Sequence, residues 1–177
     1  MSGCFIARTQ VNPSETMIDT NTKTTIRVVT FPVGKLTLSV PIQSVYRVLS
    51  QIPVYGSGER GVGIAHLEDY ELTVFDLEYQ LFTKQEESSI EAPQGSHIIV
   101  VQSDTEVLGL LVKQAPTLMN LERDRVRVLP ASYRQADTLG FCSHVAVLEQ
   151  EEETITIFLL DVERLLPQSS SKQKLSH

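Results

Sequence analysis

The chain has 177 residues, of which 41% are hydrophobic and 21% charged, and its formal net charge is −7. This length suits one domain, or two small ones that share a core, and it excludes a large multidomain enzyme. The apolar content is too high for a wholly disordered chain. The acidic balance disfavours a surface that binds the phosphate backbone of nucleic acids.

The cysteine content and the apolar runs indicate the cellular compartment. Cys4 and Cys142 cannot build a disulfide framework, and no Cys/His cluster of zinc-binding spacing is present. They could pair with each other, but we favour two free thiols in a reducing cytosol. No apolar run approaches the roughly 18 residues of a membrane-spanning helix, and residues 1–22 lack the pattern of a signal peptide. We therefore expect a cytoplasmic protein without direct membrane insertion.

Three polar segments organise the chain. Residues 1–22 are expected to form a flexible N-terminal arm, and residues 167–177 a disordered tail. Residues 84–96 are polar and contain a proline and a glycine, which predicts a linker. The linker separates a first half at about residues 23–83 from a second half at about residues 97–166.

Both halves have the patterns of short strands. Leu36, Leu38 and Val40 alternate with polar residues, as in a half-buried strand. The apolar runs 97–101 and 107–112 predict strands that are buried on both faces. Since no helical period extends beyond about two turns, the patterns predict a mostly-β protein, either a barrel or a sandwich.

Each half closes on a similar segment. Residues 71–78 (E-L-T-V-F-D-L-E) and 156–163 (T-I-F-L-L-D-V-E) are both apolar strands that end in Asp-x-Glu. Asp is a good N-cap and Glu suits the first turn of a helix, so short helices are expected after Asp76 and Asp161. On the pattern alone, a true repeat and a chance similarity are equally good explanations.

The glycine-rich loop from Gly56 to Gly61 (G-S-G-E-R-G) matches the G-x-G-x-x-G pattern of dinucleotide sites, and Asp76 lies where a ribose-binding acid is expected. Such a site needs a preceding strand and a helix that begins within the glycines. Pro53 interrupts the preceding stretch, and residues 61–65 are poor helix formers. We favour a loop between two strands and keep a nucleotide-binding enzyme domain as the alternative function.

No other pattern points to catalysis. The four histidines are far apart in sequence and lack the spacing of metal ligands. The carboxylates of residues 149–153 are most simply a solvated hairpin turn. Arg123, Arg125 and Arg127 alternate beside acidic residues and predict an exposed strand edge of mixed charge, not a groove for nucleic acid. We therefore predict no catalytic residue, no metal, no cofactor and no nucleic-acid partner.

From Val33 to Leu166 the chain resembles the CheW family of chemotaxis adaptor proteins. Four segments are similar to the family's patterns in order and spacing. Residues 34–48 resemble the family's opening strand, turn and V-x-E-V segment, and residues 63–77 resemble its G-V-x-N-L-R-G and V-P-V-V-D-L block. Residues 108–112 (L-G-L-L-V) resemble its strand V-G-L-L-V, and residues 157–166 resemble its closing strand and helix.

The resemblance implies two SH3-like five-stranded β-barrels, packed around a shared apolar groove, and a non-catalytic role. Family members couple the cytoplasmic tips of chemoreceptors to the regulatory domain of a CheA-type histidine kinase, in chemotaxis or in related control of phototaxis or pili. Receptors dock helical hairpins in the groove, a mode that needs apolar anchors. The resemblance also implies recruitment of a cytoplasmic protein to membrane receptor arrays.

The resemblance also implies protein-binding residues. Val45 and Gly63 fall where the family contacts receptor or kinase, and Val48 and Val112 look like nearby apolar positions.

This chain departs from the family in its charges. The Arg and Gly of N-L-R-G are Glu68 and Asp69 here, and the glutamate of V-x-E-V is Arg47. We hypothesise that Arg47 and Glu68 form a complementary pair of reversed polarity; two independent surface changes are the alternative. Lys113 also replaces an acidic residue common in the family. Such changes act chiefly on partner choice and encounter rate.

Overall fold

A computed structural model describes residues 24–82, 90, 92–104, 106–135, 139–150 and 153–165. The predicted N-terminal arm and C-terminal tail, and the larger part of the predicted linker, lie outside the described residues. The strands are β1 (Thr25–Val33), β2 (Leu36–Pro41), β3 (Val45–Ser50), β4 (Tyr55–Gly56), β5 (Val62–His66), β6 (Glu71–Asp76), β7 (His97–Gln102), β8 (Val107–Val112), β9 (Thr117–Glu122), β10 (Val126–Val128), β11 (Cys142–Gln150) and β12 (Glu153–Leu160). The helices are α1 (Leu77–Phe82), α2 (Ala131–Arg134) and α3 (Val162–Leu165).

The strands form two six-stranded sheets, and each sheet combines both halves of the sequence. The first sheet has the order β10-β11-β12-β2-β1-β9, and the second has the order β3-β7-β8-β6-β5-β4. Most neighbours are antiparallel, but β12 runs parallel to β2 and β6 runs parallel to β8. The β1–β2 hairpin therefore completes the sheet of the second half, and the β7–β8 hairpin completes the sheet of the first half.

This strand pairing places strands from both predicted barrels, residues 23–83 and 97–166, in each sheet. It also gives six strands to each sheet, where five were predicted. The reason lies in β7 and β8, which are apolar on both faces. Such strands need a position inside a sheet that is covered on both sides, and they lie between β3 and β6. The mostly-β architecture of two curled sheets with few short helices is confirmed.

The core consists of three apolar clusters. The central cluster lies between the sheets, and a smaller cluster fills the other face of each one. Strand β7 shows the arrangement: Ile99 and Val101 face the central cluster, whereas Ile98 and Val100 face the smaller cluster of the second sheet. Successive side chains of a strand point to opposite faces. The prediction that residues 97–101 and 107–112 form strands buried on both faces is thus confirmed. The exceptions are the first residue of each run, since His97 is half-buried and Val107 is exposed.

The two similar closing segments occupy equivalent places. Each strand, β6 and β12, makes the parallel pairing of its sheet and leads into a short helix. The carboxylate of Asp76 accepts a hydrogen bond from the Tyr79 backbone N–H at 3.1 Å, as an N-cap does. The carboxylate of Asp161 instead pairs with Arg164 Nε at 3.1 Å. The predicted helices after Asp76 and Asp161 are confirmed, and the repeat is structural.

Two local predictions have different outcomes. Arg123–Arg125 form a turn of 3-10 helix rather than an alternating strand, so only Arg127 lies on β10. Cys142 is a buried free thiol, and burial raises its pKa to about 11. Cys4, with which Cys142 could pair, lies outside the described residues.

Candidate protein-interaction surfaces

An open cleft of about 700 Å³ lies where the two sheets meet. The second sheet and its helix supply Val62, Phe75 and Leu77 to the lining, and the segments flanking β11 and β12 supply Phe141 and Leu165. Most of the exposed lining is apolar, with polar and charged side chains at the rim. We call this space the intersheet cleft. An apolar concave surface of this kind can accept an amphipathic helix.

The glycine-rich loop forms part of the rim of the intersheet cleft. It connects β4 with β5 in a hairpin, and no helix begins within it. The Ser57 hydroxyl donates to the Val62 carbonyl at 2.9 Å and accepts from the Glu59 N–H at 3.2 Å. Gly61 has a φ of +66°, and a Cβ at this position would collide with the ring of Tyr79. The loop therefore lacks the helix N-terminus that a dinucleotide site requires.

A second surface is formed by Tyr46, Arg47 and Tyr70, which we call the Arg47 cluster. The Arg47 guanidinium lies 5.7 Å from the ring centroids of both tyrosines, which is within the range of cation–π attraction. One of its Nη atoms donates to the Tyr70 hydroxyl at 2.8 Å. Tyr46 is 65% exposed and Tyr70 39% exposed, so the cluster is available to a partner.

Arg47 does not form the pair with Glu68 that the sequence suggested. No hydrogen bond or ion pair joins these two described residues; the guanidinium is directed to Tyr70 instead. Glu68 and Asp69 are exposed in the turn between β5 and β6, directly before Tyr70. The residues of reversed charge therefore lie on neighbouring segments. Arg47 contacts Tyr70, the residue after Asp69, but it does not contact Glu68 itself.

The two valines of β3 differ in exposure. Val45 is half-buried and packs against the central cluster, opposite Val101 of β7. Val48 is 41% exposed. A partner can therefore contact Val48 directly, whereas the side chain of Val45 mainly supports the sheet.

Gly63 and Val112 are buried, unlike the other predicted binding residues. Gly63 lies on β5, where a Cβ would come within 2.5 Å of Val54 Cγ1 and 2.6 Å of Ile90 Cγ2. Val112 is 1% exposed and belongs to the central cluster. Both residues therefore contribute to internal packing, and neither presents a side chain at the surface.

The charged residues near the first helix are structural in character. Lys113 Nζ lies 2.6 Å from Glu78 Oε2 and so joins the end of β8 to α1. This hydrogen bond raises the pKa of Lys113 more than burial lowers it, and the charges of Glu78 and Asp76 raise it further. The described residues contain no group of three side chains suited to hold a metal ion. None of their helices exceeds six residues, and none could cross a membrane.

Sequence reasoning missed the two tyrosines of the Arg47 cluster and the apolar residues of the intersheet cleft. Tyr46 and Tyr70 stand out in sequence only as aromatic residues next to charged or polar neighbours. Phe141 gave no signal at all, because Val62, Phe75 and Leu77 of the opposite wall are more than 60 positions away in sequence.

Comparison with known proteins identifies the family. The family model for the CheW-like domain matches residues 27–170. The fold is similar to that of the scaffolding protein TtCheW from Thermoanaerobacter tengcongensis, with a TM-score of 0.61 and 17% sequence identity over 78% of this chain and 86% of that chain. A search of curated proteins finds no significant match. Because the family model covers most of the sequence, and the two-sheet fold agrees with it, this chain belongs to the CheW family.

Proposed function

We propose that this protein is a non-catalytic adaptor that couples the cytoplasmic tips of chemoreceptors to the regulatory domain of a CheA-type histidine kinase. It would act in the cytoplasm at membrane receptor arrays, in chemotaxis or in related control of phototaxis or pili. The intersheet cleft carries the proposal, because an apolar cleft between two sheets offers a binding surface without requiring any chemistry.

The cleft suits one helical segment of a receptor. Its lining comes from the second sheet and from the segments that flank β11 and β12, so a docked helix would contact Phe75 on one side and Phe141 on the other. Apolar anchors of this kind supply most of the affinity in helix-in-groove recognition. The charged rim, which includes Arg60 and Arg164, would set the orientation of the helix.

The alternative of a nucleotide-binding enzyme domain has no support in the glycine-rich loop. A β-hairpin stands where the pyrophosphate would need the N-terminus of a helix. A thermal-shift titration with dinucleotide tests this directly, since a ligand at 100 times its Kd should add roughly 2.7 kcal/mol of stability.

The adaptor function is tested by calorimetric titration of the full chain with two probes from the same cell: the kinase's regulatory domain and a receptor-tip hairpin. We expect saturable one-to-one binding of each. Absence of binding by both probes at high concentration would refute the proposal.

A cleft variant tests the receptor site separately. Thr73 is an exposed strand residue that lines the intersheet cleft, whereas Thr156 is an exposed strand residue outside it. Thr73→Tyr should narrow the cleft and weaken binding of the receptor hairpin by about tenfold or more, equivalent to about 1.4 kcal/mol. Thr156→Tyr is the matched control and should bind as the natural protein does. Equal affinities for the two variants would place the receptor elsewhere.

A further inference from the structure

Arg47 differs from Arg125 and Arg164, two exposed arginines that pair with carboxylates, and resembles Arg27, whose Nε donates to the neutral side-chain oxygen of Asn120. Arg125 Nε pairs with Glu122 at 3.0 Å, and Arg164 Nε pairs with Asp161 at 3.1 Å. Arg47 makes its hydrogen bond to a neutral phenol, Tyr70, and no carboxylate among the described residues forms an ion pair with it. The cluster thus presents an unneutralised cation on a chain of net charge −7.

The cation is held in place before any partner arrives. The rings of Tyr46 and Tyr70 both lie 5.7 Å from the guanidinium carbon, and the Tyr70 hydroxyl engages one Nη atom. A guanidinium has five N–H donors in a planar fork that matches a carboxylate. Since only one donor is engaged, the remaining N–H groups can donate hydrogen bonds to a carboxylate. Fixing a long side chain beforehand lowers the entropy that binding would otherwise lose.

The cluster is also placed for contact with a folded surface. Tyr46 and Arg47 lie on β3, an edge strand of the second sheet, where the pairing register shifts between Val45 and Arg47 as at a β-bulge, and Tyr70 directly precedes β6. Bulges of this kind re-aim side chains at sheet edges. None of the three cluster residues lines the intersheet cleft. Tyrosine and arginine are both enriched in the hot spots of protein interfaces.

We infer that the Arg47 cluster binds a carboxylate side chain presented by the kinase regulatory domain. This inference rests on the proposed function and names the chemistry of its kinase contact. A partner surface is favoured over a receptor helix because the cluster lies outside the cleft that suits a helix. Glu68 and Asp69, exposed in the turn before Tyr70, give the same surface a negative side. The partner should therefore carry an acidic residue facing Arg47 and a basic residue facing this turn.

The test is titration of the full chain with the kinase regulatory domain at low and high salt. Arg47→Gln should raise the Kd by about 10- to 100-fold and flatten its dependence on salt. Arg47→Lys keeps the charge but loses the fork, and should raise the Kd by about three- to tenfold. Arg125→Gln removes the same charge from a neutralised arginine and is the matched control, expected to leave the Kd nearly unchanged.

The outcomes separate this inference from the proposed function. If the natural protein binds and Arg47→Gln binds equally well, the carboxylate contact is refuted while the adaptor function stands. If the natural protein does not bind the domain, the kinase coupling is refuted and this inference falls with it. Thermal unfolding tests a third explanation: a large drop in the Tm of Arg47→Gln would show that the guanidinium acts by holding Tyr46 and Tyr70 in its own chain and not by binding a partner carboxylate, and would overturn the proposal. Restoration of Arg47→Glu binding by one acidic-to-lysine change on the kinase domain would identify the partner residue.

Discussion

Replacing Gly63 by alanine tests whether this glycine acts by packing or by contacting a partner. An added Cβ would lie 2.5 Å from Val54 Cγ1, 2.6 Å from Ile90 Cγ2 and 2.9 Å from the Tyr55 carbonyl oxygen. The first two neighbours are tips of branched side chains. The third is backbone of β4, which pairs with β5 at Gly56 and Gly63 and cannot move without disturbing that pairing.

The expected loss of stability follows from these contacts. Inserting an extra methyl group into a filled site typically costs about 1–3 kcal/mol. Three simultaneous close approaches, one of them to backbone, place this site in the upper half of that range. Alanine also restricts the unfolded chain, which offsets about 0.4–1 kcal/mol. We therefore expect a net loss of about 1–2.6 kcal/mol, equivalent to a Tm decrease of roughly 2–10 °C for a chain of this size.

Urea unfolding followed by far-UV circular dichroism is the appropriate assay, because the chain has no tryptophan to report on its tertiary structure. The midpoint should fall without a change in slope. Gly140→Ala provides the control, since its nearest neighbour would be the Arg134 carbonyl oxygen at 3.6 Å, an ordinary contact distance. Its free energy of unfolding should change by less than about 0.5 kcal/mol.

One result would refute this reasoning. If Gly63→Ala is as stable as the natural protein but binds the kinase domain or the receptor hairpin weakly, the site has room for a methyl group. Gly63 would then contribute directly to a binding surface. If stability falls and the folded fraction binds normally, the role of Gly63 is confined to packing.

Three further predictions concern buried and paired residues. Val112→Ala should lower the free energy of unfolding by about 1–3 kcal/mol, because Val112 is part of the central cluster. Val48→Ala is the control at an exposed position and should change the free energy of unfolding by less than about 0.5 kcal/mol. Comparable losses in the two variants would contradict the burial argument. Removing the ion pair of Lys113 with Glu78 should lower the free energy of unfolding by at most about 1 kcal/mol, since both side chains are partly exposed. A double-mutant cycle should show a coupling energy between the two residues in low salt that disappears in 1 M salt. Burial raises the pKa of Cys142 from 9.0 to about 11, so the folded protein keeps a proton that the unfolded chain loses. Stability should therefore fall as the pH rises between those values, with a smaller slope in Cys142→Ala; an unchanged slope would show that other groups are responsible.

The local structure of this protein was predictable from its sequence. The alternation of Leu36, Leu38 and Val40 predicted β2, and the two apolar runs of the second half predicted β7 and β8. Asp76 and Asp161 predicted the helices that follow them. These features depend on neighbouring residues, since a strand has a period of two and a helix begins where a side chain satisfies its first N–H groups.

The tertiary structure decided which strands are neighbours and which side chains meet. A period of two reports which face of a strand is apolar, but it does not specify the strand that will pair with it. The exchange of hairpins between the two sheets was therefore hidden. Arg47 meets Tyr70, 23 positions away, instead of Glu68, because the barrel-like curvature of the second sheet brings the β5–β6 turn to the edge strand β3. Such contacts depend on how a sheet closes in space, and no local pattern of residues encodes that closure.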